Sequence, residues 1–76
     1  MNIFYTVIEN QMPTDSTHAL LYYHYDDITQ AYAKLYTILA AAAVSTIPYH
    51  SGCIIRSDGI MIDGKVFDRR GESSEV

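Results

Sequence analysis

The chain has 76 residues, one cysteine and a formal net charge of −4, and 49% of its residues are hydrophobic. A single cysteine excludes a disulfide framework within the chain, and high hydrophobic content with little charge excludes disorder over most of its length. So short a chain buries only about 60% of the surface that it exposes when unfolded, so its core is marginal unless a partner or a second copy extends it. We expect one domain over residues 1–70 and a flexible tail over residues 71–76.

Two strands are predicted in the first third of the chain. The first spans Asn2–Glu9, where β-branched and aromatic residues make both faces largely apolar. A polar loop over Asn10–Thr17 follows it. The second strand spans His18–Tyr25, although an Ala-Leu-Leu segment near its start keeps a helix open as an alternative.

The clearest predicted element is a helix that begins after Asp27, a good N-cap residue with Gln30 at the capping-box spacing. Apolar and small residues then recur at intervals of three and four, which is typical of an amphipathic helix. These residues are Ile28, Ala31, Leu35, Ile38, Ala42 and Ser45. The Ala40–Ala43 run makes the second half thin enough to approach a sheet or another helix closely, and Pro48 ends the segment.

A hairpin is predicted in the last third. Its strands span Tyr49–Arg56 and Ile60–Phe67, joined by a turn in which Asp58-Gly59 tolerates positive φ. Gly52 indicates a bulge or a point of close approach, and Gly64 indicates a second bulge. The predicted fold is α+β: a small antiparallel sheet in the order ββαββ, or βαββ if the second strand fails, with one helix packed on one face.

One helix covers only one face of such a sheet. The other face then presents apolar and tyrosine side chains, and an exposed patch of this kind usually marks an interface. One hypothesis is therefore a homodimer that buries this face or the alanine-rich face of the helix.

Two chemical sites can be drawn around the His50-Ser51-Gly52-Cys53 segment. His50 and Cys53 have a ligand-like spacing that His18, His24 or Asp63 could complete, but there is no paired CxxC frame. A nucleophilic site made of Cys53, His50 and Asp63, or of Ser51 and His50, would need a water-excluding pocket, for which so small a domain has little volume. No phosphate-binding loop is present either. We expect no catalytic residues, no metal and no cofactor, and hence no enzyme.

The net negative charge and most of the tyrosines lie in the front half, where no lysine or arginine precedes Lys34. Tyrosine beside carboxylates favours a protein partner with a basic surface and disfavours direct binding of nucleic acid. The predicted partner-binding residues are Glu9, Asp15, Tyr22, Tyr23, Tyr25, Asp26 and Asp27. The alternative interpretation is that the charges serve solubility and that several of the tyrosines fill the core and its rim.

The segment Tyr36–Ser51 reads Tyr-x-x-Leu-Ala-Ala-Ala-Ala-Val-Ser-x-x-Pro-x-His-Ser, and a strand and the Ser57-Asp58-Gly59 turn follow it. This pattern resembles a group of short uncharacterised proteins encoded by phages, prophages and conjugative elements of Gram-positive bacteria. The resemblance implies a mobile-element setting and brings no catalytic residues. Small acidic proteins in that setting are often inhibitors of host defence, anti-CRISPR proteins among them.

The resulting functional hypothesis is a protein-binding module that inhibits a host defence nuclease. The alternative is a homodimeric structural or accessory protein of a phage or conjugative element. No signal-peptide pattern and no membrane-spanning run is present, so we expect no membrane association and a location in the bacterial cytoplasm.

Overall fold

The computed structural model describes residues 2–14 and 17–70. The elements follow in the order β1 (Tyr5–Thr14), β2 (Thr17–Tyr25), α1 (Ile28–Ala43), β3 (Tyr49–Arg56) and β4 (Met61–Asp68). One helix packs on a four-stranded antiparallel sheet, so the α+β class and the ββαββ order are confirmed. The tail predicted over residues 71–76 lies outside the described residues.

The strands lie in the order β2-β1-β3-β4 across the sheet. Strands β1 and β2 form one antiparallel pair, β3 and β4 form another, and β1 pairs with β3 to join them. Because β2 and β3 both run antiparallel to β1, they are parallel to each other and require a crossover connection. The 16-residue helix α1 supplies that crossover and lies on one face of the sheet.

Both ends of α1 are held by side chains. Asp27 is the N-cap, as predicted: its backbone is extended and its carboxylate accepts a hydrogen bond from the Thr29 amide at 2.9 Å. At the other end, Arg69 donates to the carbonyl oxygens of Ala42 at 2.8 Å and Ala43 at 3.1 Å. The last carbonyls of a helix have no partner within it, so the residue after β4 stabilises the end of α1.

The core lies between α1 and the two inner strands. Val7 of β1 and Ile54 of β3 are fully buried there. The helix contributes the inner members of the predicted stripe, which are Ala31, Leu35, Ile38 and Ala42. Ile28, at the first position of the stripe, is 37% exposed, so the stripe is confirmed in its middle and not at its start.

Among the described glycines, Gly52 lies closest to the side chains of α1. A Cβ atom built on Gly52 would lie 3.0 Å from Ile38 Cγ2 and 3.2 Å from Leu35 Cδ1, both on α1. The interpretation of Gly52 as a close-approach residue is therefore confirmed. Because glycine has no side chain, Leu35 and Ile38 can pack directly on the β3 backbone.

Two local predictions were wrong. The polar loop predicted from Asn10 does not begin there, because β1 continues to Thr14 and Asn10 pairs with both β2 and β3. Pairing on both sides overrides the low strand propensity of asparagine.

The bulge predicted at Gly64 is also misplaced, since the β3–β4 register shifts between Ile54 and Ile55, opposite Ile62. The extra residue there lets the Ile62 side chain pack against the core.

Candidate protein-binding face

The face of the sheet opposite α1, which we call the open face, has no helix over it in the described part of the chain. Val7 and Ile54 are register partners that are buried under α1, so Ile8 and Cys53 point the other way. The same alternation through the paired strands gives the residues of the open face. They are Thr6, Ile8, Asn10 and Met12 of β1, Leu20, Tyr22 and His24 of β2, Tyr49, Ser51, Cys53 and Ile55 of β3, and Met61, Gly64, Val66 and Asp68 of β4.

Large apolar side chains on the open face are exposed at both edges of the sheet. Tyr22 and Leu20 on β2 are 55% and 43% exposed, and Met61 and Val66 on β4 are 58% and 53% exposed. Between these edges, the apolar residues of β1 and β3 are half-buried by their neighbours. The apolar surface is therefore continuous over the full width of the sheet, as predicted for the face without the helix.

A single strand position on the described open face carries a charged side chain. Asp68 lies at the end of β4, where Arg70 Nε donates to its Oδ1 at 2.9 Å. The hydrogen bonds from Arg70 lower the pKa of Asp68 to about 2. The Arg70 guanidinium also lies 4.9 Å from the centre of the Tyr49 ring. The negative charge of Asp68 therefore lies at a corner of the open face and is paired with Arg70 there. The middle of the face is uncharged.

One row of residues crosses the open face from β2 to β4. Tyr22, Ile8, Cys53 and Gly64 are successive register partners across the four strands. The row therefore begins with a large exposed ring and ends at a residue without a side chain. A Cβ atom on Gly64 would lie 2.6 Å from Met61 Cε and 2.8 Å from Cys53 Cβ, so the Met61 side chain lies over Gly64 and fills the space above it.

The three predicted partner-binding tyrosines do not share a surface. Tyr22 lies on the open face and is exposed. Tyr23 and Tyr25 lie on the other face of β2 and pack against the core beside α1. Lys34 of α1 lies 4.1 Å from the centre of the Tyr23 ring, so a cation faces this tyrosine, in contrast to the acidic surroundings that the sequence indicates. Tyr22 is the one member of this group that the open face includes.

The predicted acidic residues are likewise separated. Asp26 and Asp27 are exposed where β2 leads into α1, with Asp27 acting as the N-cap. Glu9 is buried under the helix side of the sheet, which removes it from any exposed acidic surface. Asp15 lies outside the described residues. Which of these residues contact a partner stays a prediction.

Glu9 instead forms a buried polar pair with His50. His50 Nε2 lies 2.7 Å from Glu9 Oε2, and Gln11 Nε2 donates to the same oxygen at 2.8 Å. The residue directly opposite Glu9 on β3 is Gly52, which leaves room for this diagonal contact. Sequence reasoning missed the pair, because the contact depends on the β1–β3 register and has no local signal in the sequence.

The geometry separates the residues of the two chemical sites considered from the sequence. His50 points towards α1, whereas Ser51 and Cys53 lie on the open face, so neither nucleophile is on the same side of the sheet as the histidine. Burial raises the pKa of the Cys53 thiol, which lowers the thiolate fraction at neutral pH. Within the described residues, no three His, Cys, Asp or Glu side chains are grouped so that they could hold a metal ion.

Comparisons with protein families, curated proteins and solved structures found no match for this chain. The resemblance to proteins of mobile elements therefore stays a prediction. In the described part of the chain, no helix is both long enough and apolar enough to span a membrane.

Proposed function

We propose that this chain is a protein-binding module and that the open face is its contact surface. The observation that supports this proposal most directly is the apolar strip that runs from Tyr22 on β2 through Ile8 and Cys53 to Met61 on β4. Tyr22 and Met61 are both more than half exposed. Removing apolar surface from water is the main favourable term in protein association. A sheet face of this width without charges in its middle has the composition of an interface core.

The chemistry of the open face favours a protein partner over a nucleic acid. None of its strand positions in the described residues holds a lysine or an arginine, the side chains that neutralise phosphates. Tyr22 and Met61 provide aromatic and thioether groups, which are enriched at protein interfaces. Hydrogen-bonding groups are also present in the middle of the face at Asn10 and Ser51, so a partner can be oriented as well as held.

The experiment compares substitutions on the open face with matched substitutions elsewhere. Tyr22→Lys and Val66→Lys place a charge on the open face. Tyr36→Lys and Val44→Lys change the same residue types on α1 and at its C-cap, where they are 60% and 84% exposed. All four positions are exposed, so the variants should fold alike, which circular dichroism checks.

Binding is measured in two ways. With dilute protein, an apolar fluorescent dye reports the accessible apolar patch, and photo-crosslinking in a Gram-positive bacterial lysate reports protein contacts. We expect the two open-face variants to lose about tenfold or more of the wild-type signal and the two controls to keep it. Equal signals from all four variants would show that the open face is not the contact surface.

A second candidate function, inhibition of a host defence nuclease, is supported by the two exposed carboxylates at Asp26 and Asp27 and by the mobile-element resemblance. In this role the acidic end of β2 occupies a basic groove that normally holds nucleic acid, and charge complementarity speeds the encounter. Because Asp27 caps α1, its charge is best removed by Asp27→Asn, which keeps the cap, together with Asp26→Lys. If such a nuclease is inhibited equally by the wild type and by this double variant, the acidic pair has no part in binding.

A further inference from the structure

We infer that the open face binds a second copy of this chain, so that two sheets pack face to face around a twofold axis that runs along the strands between β1 and β3. This inference rests on the proposed function, because it assigns a partner to the same surface. The observations that favour a second copy are the small size of the core, the area of the face, the distribution of charge and the match between residues of the face.

The core of a single copy is small. Its buried apolar side chains in the described residues come from one helix and two strands, and two of them are the alanines Ala31 and Ala42. A chain of this length usually needs an additional source of stability, and oligomerisation is one of them. Packing a second sheet on the open face would bury that face in a second apolar layer, as in a β-sandwich.

The area of the open face suits a modest homodimer. Four strands spaced about 4.8 Å apart, with about eight residues each rising 3.3 Å, cover about 500 Å² in projection. The accessible surface of protruding side chains exceeds its projection, so a face-to-face pair removes on the order of 1,000 Å² or more from water. This is the size at which specific interfaces begin.

The negative charges of the described residues do not oppose this contact, because every described carboxylate except that of Asp68 lies off the open face. Asp26 and Asp27 are at the junction of β2 and α1, and Asp58 is in the β3–β4 turn, paired with Arg56. Glu9 is buried on the helix side. The acid at the corner of the open face, Asp68, already has Arg70 as its partner. Two open faces therefore meet without repulsion between unpaired like charges in their middle.

The residues of the open face match one another under a twofold rotation. A twofold axis along the strands, between β1 and β3, places β2 over the partner's β4 and β1 over the partner's β3 at the same level. The large ring of Tyr22 then lies against the thioether of the partner's Met61, which covers the partner's Gly64, and a sulfur–aromatic contact of this kind is favourable. By the same operation, Ile8 lies over the partner's Cys53.

The adjacent row matches in polarity as well. Leu20, Asn10, Ser51 and Val66 are register partners across the four strands. The axis sets Leu20 against the partner's Val66 and Asn10 against the partner's Ser51. Asn10 Oδ1 has no hydrogen-bond partner within one copy, and rotation of its amide group would bring this oxygen towards the hydroxyl of the partner's Ser51. Apolar residues therefore meet at the edges and polar residues near the axis.

The first test measures mass and the protection of Cys53. Sedimentation equilibrium from about 1 to 500 μM should show the 8.6 kDa chain doubling in mass, and the rate of Cys53 modification by a thiol reagent should fall over the same range. Tyr22→Lys should weaken the dimer about tenfold or more, whereas Tyr36→Lys should leave it unchanged. A single-chain mass throughout this range, or a dimer unaffected by Tyr22→Lys, would overturn the inference.

The second test fixes the orientation of the two copies. In a Cys53→Ser background, Leu20→Cys and Val66→Cys are combined and treated with a short bismaleimide. Within one copy the two thiols lie on opposite edges of the sheet, about 14 Å apart, so the link should form between copies. Leu20→Cys alone is the control and should not link, because the two Leu20 positions lie at opposite edges of the dimer. A dimer in which the double variant fails to link contradicts this arrangement.

The outcomes separate this inference from the proposed function. If the wild type is monomeric but the open-face variants still lose dye binding and crosslinking, the face binds a different protein and only the homodimer is overturned. If the wild type is dimeric but Tyr22→Lys and Val66→Lys leave dimerisation, dye binding and crosslinking unchanged, both proposals are overturned.

Discussion

Substitution of His50 by leucine should destabilise the fold by about 3 kcal/mol, because it leaves the carboxylate of Glu9 buried with Gln11 as its remaining hydrogen-bond donor. Both partners are inaccessible, with His50 3% and Glu9 9% exposed, so water cannot replace the lost contact. For a domain of this length the total stability is about 4–11 kcal/mol, so the loss is a large fraction of it.

The companion variants determine how much of this effect belongs to the pair. Glu9→Leu leaves His50 buried without its acceptor and should lose about 1–2 kcal/mol, since an unpaired imidazole is less unfavourable than an unpaired carboxylate. Replacing both residues by leucine removes both buried polar partners, and Gln11, which loses its acceptor, is only half-buried. We expect the double variant to lie within about 1 kcal/mol of the wild type. The coupling energy between the two positions is then about 3–6 kcal/mol.

Urea unfolding followed by far-UV circular dichroism measures all four proteins. The chain concentration is held constant, because association of folded chains would otherwise contribute to the apparent stability. An unchanged denaturant slope shows that the variants unfold from comparable states. If the double variant loses the sum of the two single losses, the Glu9–His50 contact contributes no coupling energy and the reasoning is refuted.

Three further predictions concern the helix contact, the helix end and the corner of the open face. Gly52→Ala should lower stability by about 1–2 kcal/mol, since its methyl group would meet Ile38 at 3.0 Å and overpacking outweighs the gain in backbone entropy; an unchanged or raised melting temperature would contradict this. Arg69→Gln should cost about 1 kcal/mol and speed amide exchange in the last turn of α1, whereas exchange at the wild-type rate would show that the arginine does not hold the helix end. Asp68 should titrate in NMR at about pH 2, and Arg70→Gln should return its pKa towards the ordinary value. Because the folded state lowers this pKa, the contribution of Asp68 to stability is present above about pH 4 and is lost as the pH falls towards 2.

The helix and the second hairpin were predictable because their signals are local. An N-cap carboxylate at Asp27, a three-and-four spacing and a proline after the segment each act within a few residues. The turn is equally local: Gly59 adopts a φ of +89°, a conformation that favours glycine. Such signals do not depend on how the elements pack together.

The faces of the strands were less predictable, because they depend on which side the helix covers. Both faces of β2 are largely apolar, so its sequence pattern does not distinguish Tyr22 from Tyr23, although one lies on the open face and the other beside α1. Glu9 was interpreted as a surface acid for a related reason. Its contact with His50 depends on the β1–β3 register and on the space above Gly52, neither of which is a local property.

The strand order has a consequence for the kinetics of folding. The two hairpins can each form from neighbouring residues, whereas the β1–β3 seam joins residues such as Glu9 and His50, which are 41 positions apart. Closing that long loop is entropically unfavourable until α1 and both hairpins dock together, so we expect the seam to form in the rate-limiting step. Substitutions in the seam should then slow folding, whereas substitutions at the tips of the hairpins should mainly accelerate unfolding.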